Sequence, residues 1–171
     1  MRVTRADVGA ALVVSGVSVL VGLLAAVVWA AVAPRVVLRS ATDGVELDPF
    51  TVEALFGADA WFVVVTSAAG LILALASWVR TRDDGVGALV GLVVGGFLAA
   101  LVVWKVGHWL GPDPGAPAEG ATREGPIDLR TKAALFCWPV AATVGYFALT
   151  AGWSRGTVAA TEVPEPARHP A

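Results

Sequence analysis

The sequence predicts an all-α membrane protein: four transmembrane helices in an up-down-up-down bundle, with a small extracytoplasmic β-hairpin loop. Three observations predict it. The chain has 171 residues, 57% of them hydrophobic, with mean hydropathy +0.74, and only 15% are charged, against about 25% in an ordinary soluble domain. Four runs contain no Asp, Glu, Lys, Arg or His: Val8–Ala33, Ala60–Val79, Gly85–Trp104 and Ala133–Trp153. Each is about 20 residues or longer, and a helix of that length crosses roughly 30 Å of hydrocarbon. Within the third run, Gly87, Gly91, Gly95 and Ala99 recur at every fourth position, which puts them on one helix face in a glycine-zipper pattern. In water each glycine costs a helix about 1 kcal/mol relative to alanine. In a bilayer, where lipid tails solvate leucine as well as another helix does, a smooth face permits close backbone approach and drives packing.

The first run follows a short basic flank with Arg2 and Arg5. Ala31-Val-Ala33 resembles a signal-peptide cleavage site. The run is too long for a signal h-region, and Pro34 stands just beyond the would-be cut, so it reads as a retained helix. Residues 34–59 form the first long loop. Asp43-Gly44 between two β-prone stretches is a hairpin signal, since glycine accepts the positive φ of a type I′ turn; a turn there pairs Arg39 with Asp48. Asp48-Pro49 is suited to open a short helix, Gly57 to end it, and Asp59 to cap the second span.

Residues 80–84 are too few for anything but a connection, so spans two and three are expected to be antiparallel neighbours. Residues 105–132 form the second long loop, whose Pro/Gly-rich stretch from Gly111 to Pro126 is expected to be extended or mobile. Pro139 falls early in span four, where it disturbs a helix least. Residues 154–171 read as a disordered cytoplasmic tail. Trp29, Trp61, Trp104, Trp109 and Trp138 fall near one set of span ends and Trp78 and Trp153 near the other, as in an aromatic belt. Basic residues are equally numerous on the two sides, but the segments sharing a side with the N-terminus are shorter and so denser in charge. Span two carries Asp59 at one end and Arg80 and Arg82 at the other. Both termini are therefore assigned to the cytoplasm and the protein to the bacterial plasma membrane.

No Asp, Glu, Lys, Arg or His lies inside a span. A charge in the bilayer costs at least about 2.5 kcal/mol and persists where transport or catalysis needs it, so proton-coupled transport and intramembrane acid–base hydrolysis lose their usual machinery. Lys105 and His108, three apart on one helix face, can join Arg35 and Asp59 in an outer polar cluster; interfacial snorkelling and a surface histidine are the simpler reading. Cys137 is the one cysteine. It is a nucleophile only with an activating neighbour such as His108, and a small buried thiol is the simpler reading. No catalytic residue, metal site or cofactor site is assigned: the histidines and the cysteine do not make a zinc set, the acidic residues of the first loop do not match calcium-loop spacing, and no phosphate loop, dinucleotide fingerprint or serine-hydrolase elbow is present. A net charge of −2 implies no nucleic-acid partner.

Trp29-Ala-Ala-Val-Ala-Pro-Arg35, Asp43-Gly44, Ala58-Asp59-Ala-Trp61-Phe62, Trp104-Lys-Val-Gly-His108 and Trp138-Pro139 are similar to features of a family of actinobacterial integral membrane proteins, domain of unknown function 2567. The resemblance runs from span one to span four; it transfers no activity and no catalytic residue. The leading expectation is a non-enzymatic integral membrane protein, an accessory or scaffold subunit of an envelope-facing complex. Its partners are the lipid bilayer and either another membrane protein or a second copy joined through span three. One alternative is a homo-oligomeric channel or carrier for a neutral or lipophilic molecule. Another is an outer-face membrane enzyme using His108 or Cys137.

Overall fold

The computed structural model describes residues 4–41, 44–47, 52–80, 85–112 and 122–161. Four long helices dominate: α1 (Arg5–Val32), α2 (Val52–Arg80), α3 (Gly85–Leu110) and α4 (Cys137–Thr161), with short strands β1 (Val37–Ala41), β2 (Gly44–Leu47) and β3 (Thr122–Glu124) between them. All four helices are long and apolar enough to cross a membrane. Their burial is the reverse of a soluble bundle. The interior holds small residues such as Gly22, Ala25, Ala26, Ala88, Ala99 and Ala100, while Leu12, Leu20 and Leu24 are 64–69% exposed. Large apolar side chains facing outward along full-length helices are solvated by lipid. The chain is a multi-pass membrane protein.

Helix α1 starts at a capping box. Thr4 Oγ1 accepts from the Asp7 N–H at 3.2 Å, and the Asp7 carboxylate accepts from the Thr4 N–H at 2.9 Å, pairing two of the otherwise unpaired groups of the first turn. It ends at Ala33, whose ψ of 125° is the extended backbone that a following proline imposes. Helix α2 does not begin at Asp59. It runs unbroken through Gly57, so the expected short separate helix is part of this span. The reason is packing: a Cβ on Gly57 would lie 2.6 Å from Pro34 Cγ, and the glycine admits the loop that leaves α1. Residues 48–51, which include the expected Asp48-Pro49 opening, lie outside the described residues.

Helix α3 extends beyond Trp104 to Leu110, so Lys105 and His108 are helical. Helix α4 begins at Cys137, after a 3₁₀ turn over Lys132–Phe136. Pro139 therefore falls in its first turn, where the missing N–H would have had no intrahelical acceptor. The helix continues to Thr161, past the expected end of span four; residues 162–171 lie outside the described residues.

The contact pattern corrects the expectation that spans two and three are packed neighbours. Helix α1 packs most extensively on α3, and α2 on α4; α2 and α3, though directly connected, touch only lightly. Asp7 of α1 lies against Gly87, Ser15 against Gly95, Gly22 against Ala99 and Trp29 against Gly107, so α1 and α3 run parallel. Gly70 against Trp138 and Ala142, then Leu71 and Ala74 against Gly145, make α2 and α4 parallel too. The up-down-up-down alternation holds, but α2 and α3 sit across a diagonal. A short loop dictates opposite directions for its two helices and leaves their partners open.

The sheet order is β2-β1-β3, all antiparallel. The hairpin pairs Arg39 with Glu46 and Ala41 with Gly44, so Arg39 does not face Asp48 and the register differs by two residues from the expected one. A slip of two residues leaves every side chain on its original face, so alternation of residue types cannot separate the two registers. Part of the loop expected to be extended or mobile is strand β3, held on β1 and continued by a hydrogen bond from Gly125 N–H to Val36 O at 2.8 Å. Two of the tryptophans assigned to an aromatic belt are core residues instead. Trp29 and Trp138 are fully buried, whereas Trp61 and Trp109 are exposed.

Candidate functional site

Two constructions stand out, one inside the bundle and one at the end that carries the sheet. Inside, the Gly87, Gly91, Gly95 and Ala99 stripe of α3 is covered by α1 of the same chain. A Cβ added at Gly91 would lie 2.7 Å from Val14 Cβ and 2.8 Å from Ala11 O; one at Gly95 would lie 2.5 Å from Ser15 Cα. Ala99 meets Gly22, where an added Cβ would be 3.0 Å from Ala99 O. The matching stripe on α1 is Ala11, Ser15, Ser18, Gly22 and Ala26, again at spacings of three and four. Ser15 Oγ donates to Gly91 O at 3.3 Å across the seam, while Ser18 Oγ turns back to Val14 O at 2.8 Å. Trp29 closes the seam at the sheet end. Its ring lies over Gly107, meets Phe62 edge-on at 5.2 Å, and donates from Nε1 to Ala58 O at 2.9 Å.

At the sheet end, residues 122–132 return across the mouth of the bundle. Ile127 and Leu129 are buried and plug the space above the helices, while a set of polar groups holds their backbone. The Asp59 carboxylate accepts from two successive N–H groups, Arg130 at 3.0 Å and Thr131 at 2.9 Å. His108 Nδ1 lies 2.7 Å from Ile127 O; a carbonyl only accepts, so the proton is on Nδ1. Asp128 accepts from Trp104 Nε1 and from Leu129 N–H, both at 2.8 Å. Lys132 Nζ lies 3.6 Å from the Asp128 carboxylate and also bonds Leu129 O. Arg35 pairs with Glu124 at 2.8 Å. Partial burial pushes the Asp128 pKa up, but the bonds from Trp104 and Leu129, with the charges of Lys132 and His108, outweigh it and hold the group below the usual carboxylate range.

The expected outer polar cluster is thus not one shared site. Arg35 meets Glu124, Asp59 meets the backbone of Arg130 and Thr131, His108 meets Ile127, and Lys105 Nζ stands 4.3 Å from the centre of the Trp104 ring. Three of the four hold the same returning segment. Sequence reasoning missed Trp104, Asp128, Lys132 and the two plug residues. The signal was there in part, because Ile127 and Leu129 are the only large aliphatic residues between Gly111 and Thr131.

Cys137 is half-buried and lines a shallow cleft of about 340 Å³ between α2 and α4, beside Asp59 and Thr131. His108 is not in that lining. Among the described residues the cleft lining includes no lysine, arginine or histidine, the kind of neighbour that activates a thiol as a nucleophile. Trp138 Nε1 is buried with no hydrogen-bond partner among the described residues. Its ring fits between Gly70 and Gly96, where added Cβ atoms would lie 3.3 and 2.8 Å from Cδ1. Among the described residues no group of three or more His, Cys, Asp or Glu is placed to hold a metal. Compared with known proteins, the chain matches no family model, no curated protein and no solved structure.

Proposed function

We propose that the chain is a non-enzymatic integral membrane protein of the bacterial plasma membrane, an accessory or scaffold subunit of an envelope-facing complex. In this reading both termini are cytoplasmic and the sheet end faces outward. The observation that carries it is the use of the polar groups at the sheet end. Asp59, His108, Trp104 and Arg35 all hold the chain's own returning segment, and what that segment builds is a small sheet whose two terminal strands pair on one side only among the described residues. A strand edge offered outside the membrane is a protein-docking element. The covering of the α3 stripe by α1 favours this reading over a homo-oligomer joined through that stripe. The Asp59 and Thr131 lining around Cys137 weighs against an enzyme.

The test is purification of the intact chain in mild detergent or native nanodiscs, with co-purifying chains identified by mass spectrometry. A stoichiometric partner is expected, and replacing residues 42–47 with a short Gly/Ser linker should release it while the helices remain folded. A chain that purifies alone, at monomer mass, overturns the proposal.

A further inference from the structure

A groove of about 540 Å³ runs between α3 and α4 on the lipid-facing side. Val94, Phe97 and Leu98 form one wall, and Phe136, Val140 and Val144 the other. Except for Thr143 its lining is apolar, and most of these side chains are exposed outward, so in a bilayer the groove opens directly on hydrocarbon.

Each wall leads to a lysine. On α3, Val94, Leu98, Leu101 and Lys105 follow at spacings of four, three and four, which is one helix face. Lys105 stands about 10 Å beyond Leu98 toward the sheet end, at 1.5 Å per residue. On the other wall Val144 and Val140 lead back, four residues at a time, to Phe136 at the end of the 3₁₀ turn, which Lys132 opens. The two ends converge on one ring. Lys105 Nζ is 4.3 Å and Lys132 Nζ 4.0 Å from the centre of Trp104, so the two ammoniums are no farther apart than those distances together. Asp128 answers part of the Lys132 charge at 3.6 Å. Lys105 has no carboxylate partner among the described residues and is exposed.

We infer that this groove holds an anionic phospholipid, with an acyl chain between α3 and α4 and the phosphate at Lys105 and Lys132. The two halves of the site match the two halves of the ligand: an apolar slot at hydrocarbon depth, and paired cations on an aromatic ring where the spans end and headgroups lie. The inference is independent of the proposed scaffold role.

The test is native mass spectrometry of the purified full chain in mild detergent, titrated with phosphatidylglycerol or phosphatidylcholine bearing identical acyl chains. Wild type should retain one phosphatidylglycerol about tenfold more strongly than phosphatidylcholine, as two lysines at a headgroup, one partly neutralised, would give. The double variant Lys105→Gln/Lys132→Gln should lose that preference. Lys105→Arg should keep it. Val140→Trp, which fills the slot, should lower retention of both lipids. Should the double variant not fold, Lys105→Gln alone decides, with an expected loss of about fivefold. Equal retention of the two lipids by wild type, an unchanged preference without Lys105, or undiminished binding in Val140→Trp each overturns the inference.

Discussion

The seam between α1 and α3 and the clasp at the sheet end hold the same chain together by opposite means. The seam works by absence. Glycine, alanine and serine leave room for two backbones to touch, and among the described residues Ser15 alone reaches across with a hydrogen bond. The clasp adds polar groups to a small apolar plug: Ile127 and Leu129 are buried, and hydrogen bonds and an ion pair hold residues 122–132 around them. The difference follows the surroundings. In hydrocarbon the helix backbone is already self-satisfied and only closer van der Waals contact remains to be gained. Where the chain leaves the bilayer its loop backbone has free N–H and C=O groups, and side chains such as Asp59 and His108 satisfy them.

The largest effect is expected at the seam. Gly95→Leu puts a side chain where a Cβ alone would be 2.5 Å from Ser15 Cα. Thermal melting in detergent should show a loss of about 3 kcal/mol or a misfolded chain. Wild-type stability would mean that α1 and α3 can separate without cost.

Asp59→Ala should cost less, about 1.5 kcal/mol, because two N–H groups lose a charged acceptor while exposed enough to find water. Limited proteolysis should then cut within residues 122–131 while the helices stay packed. If the helices loosen as well, seam and clasp are one unit.

A smaller effect is expected from pH. A carboxyl whose pKa is depressed on folding contributes stability that is complete above its unfolded value, near 3.9, and is lost as pH falls through the folded value. For Asp128 the Trp104 indole proton resonance should therefore titrate with a midpoint below about 3.9, and a midpoint above it would show that burial prevails over the hydrogen bonds. Smallest of all is Arg35→Ala. Its pair with Glu124 is 40% and 54% exposed, and exposed ion pairs contribute from nothing to about 1 kcal/mol, so melting should move by less than about 0.5 kcal/mol. A larger drop would make the strand pairing of β3 depend on that ion pair.

The legible parts were those with a local signature. Length and uninterrupted apolarity define a span wherever it packs, and the hairpin was visible from Asp43-Gly44 flanked by β-prone residues. The signals that misled were residues with two possible uses. Gly57 reads as a helix end but gives Pro34 its place. Asp59 reads as a helix cap but serves a backbone some seventy residues away. Trp29 and Trp138 sit near span ends, where an interfacial ring and a core ring look alike in sequence.

Four membrane-spanning helices of alternating direction, and a smooth glycine-bearing face on the third, follow from composition and the 3.6-residue period of a helix. Packing between distant parts of the chain put α1 on that face, paired α2 with α4 rather than with the helix it is tied to, and brought residues 122–132 back as strand and plug over the mouth of the bundle. Those outcomes depend on the fit between surfaces far apart in the chain, and a short loop or a local period carries no record of which surface will meet which.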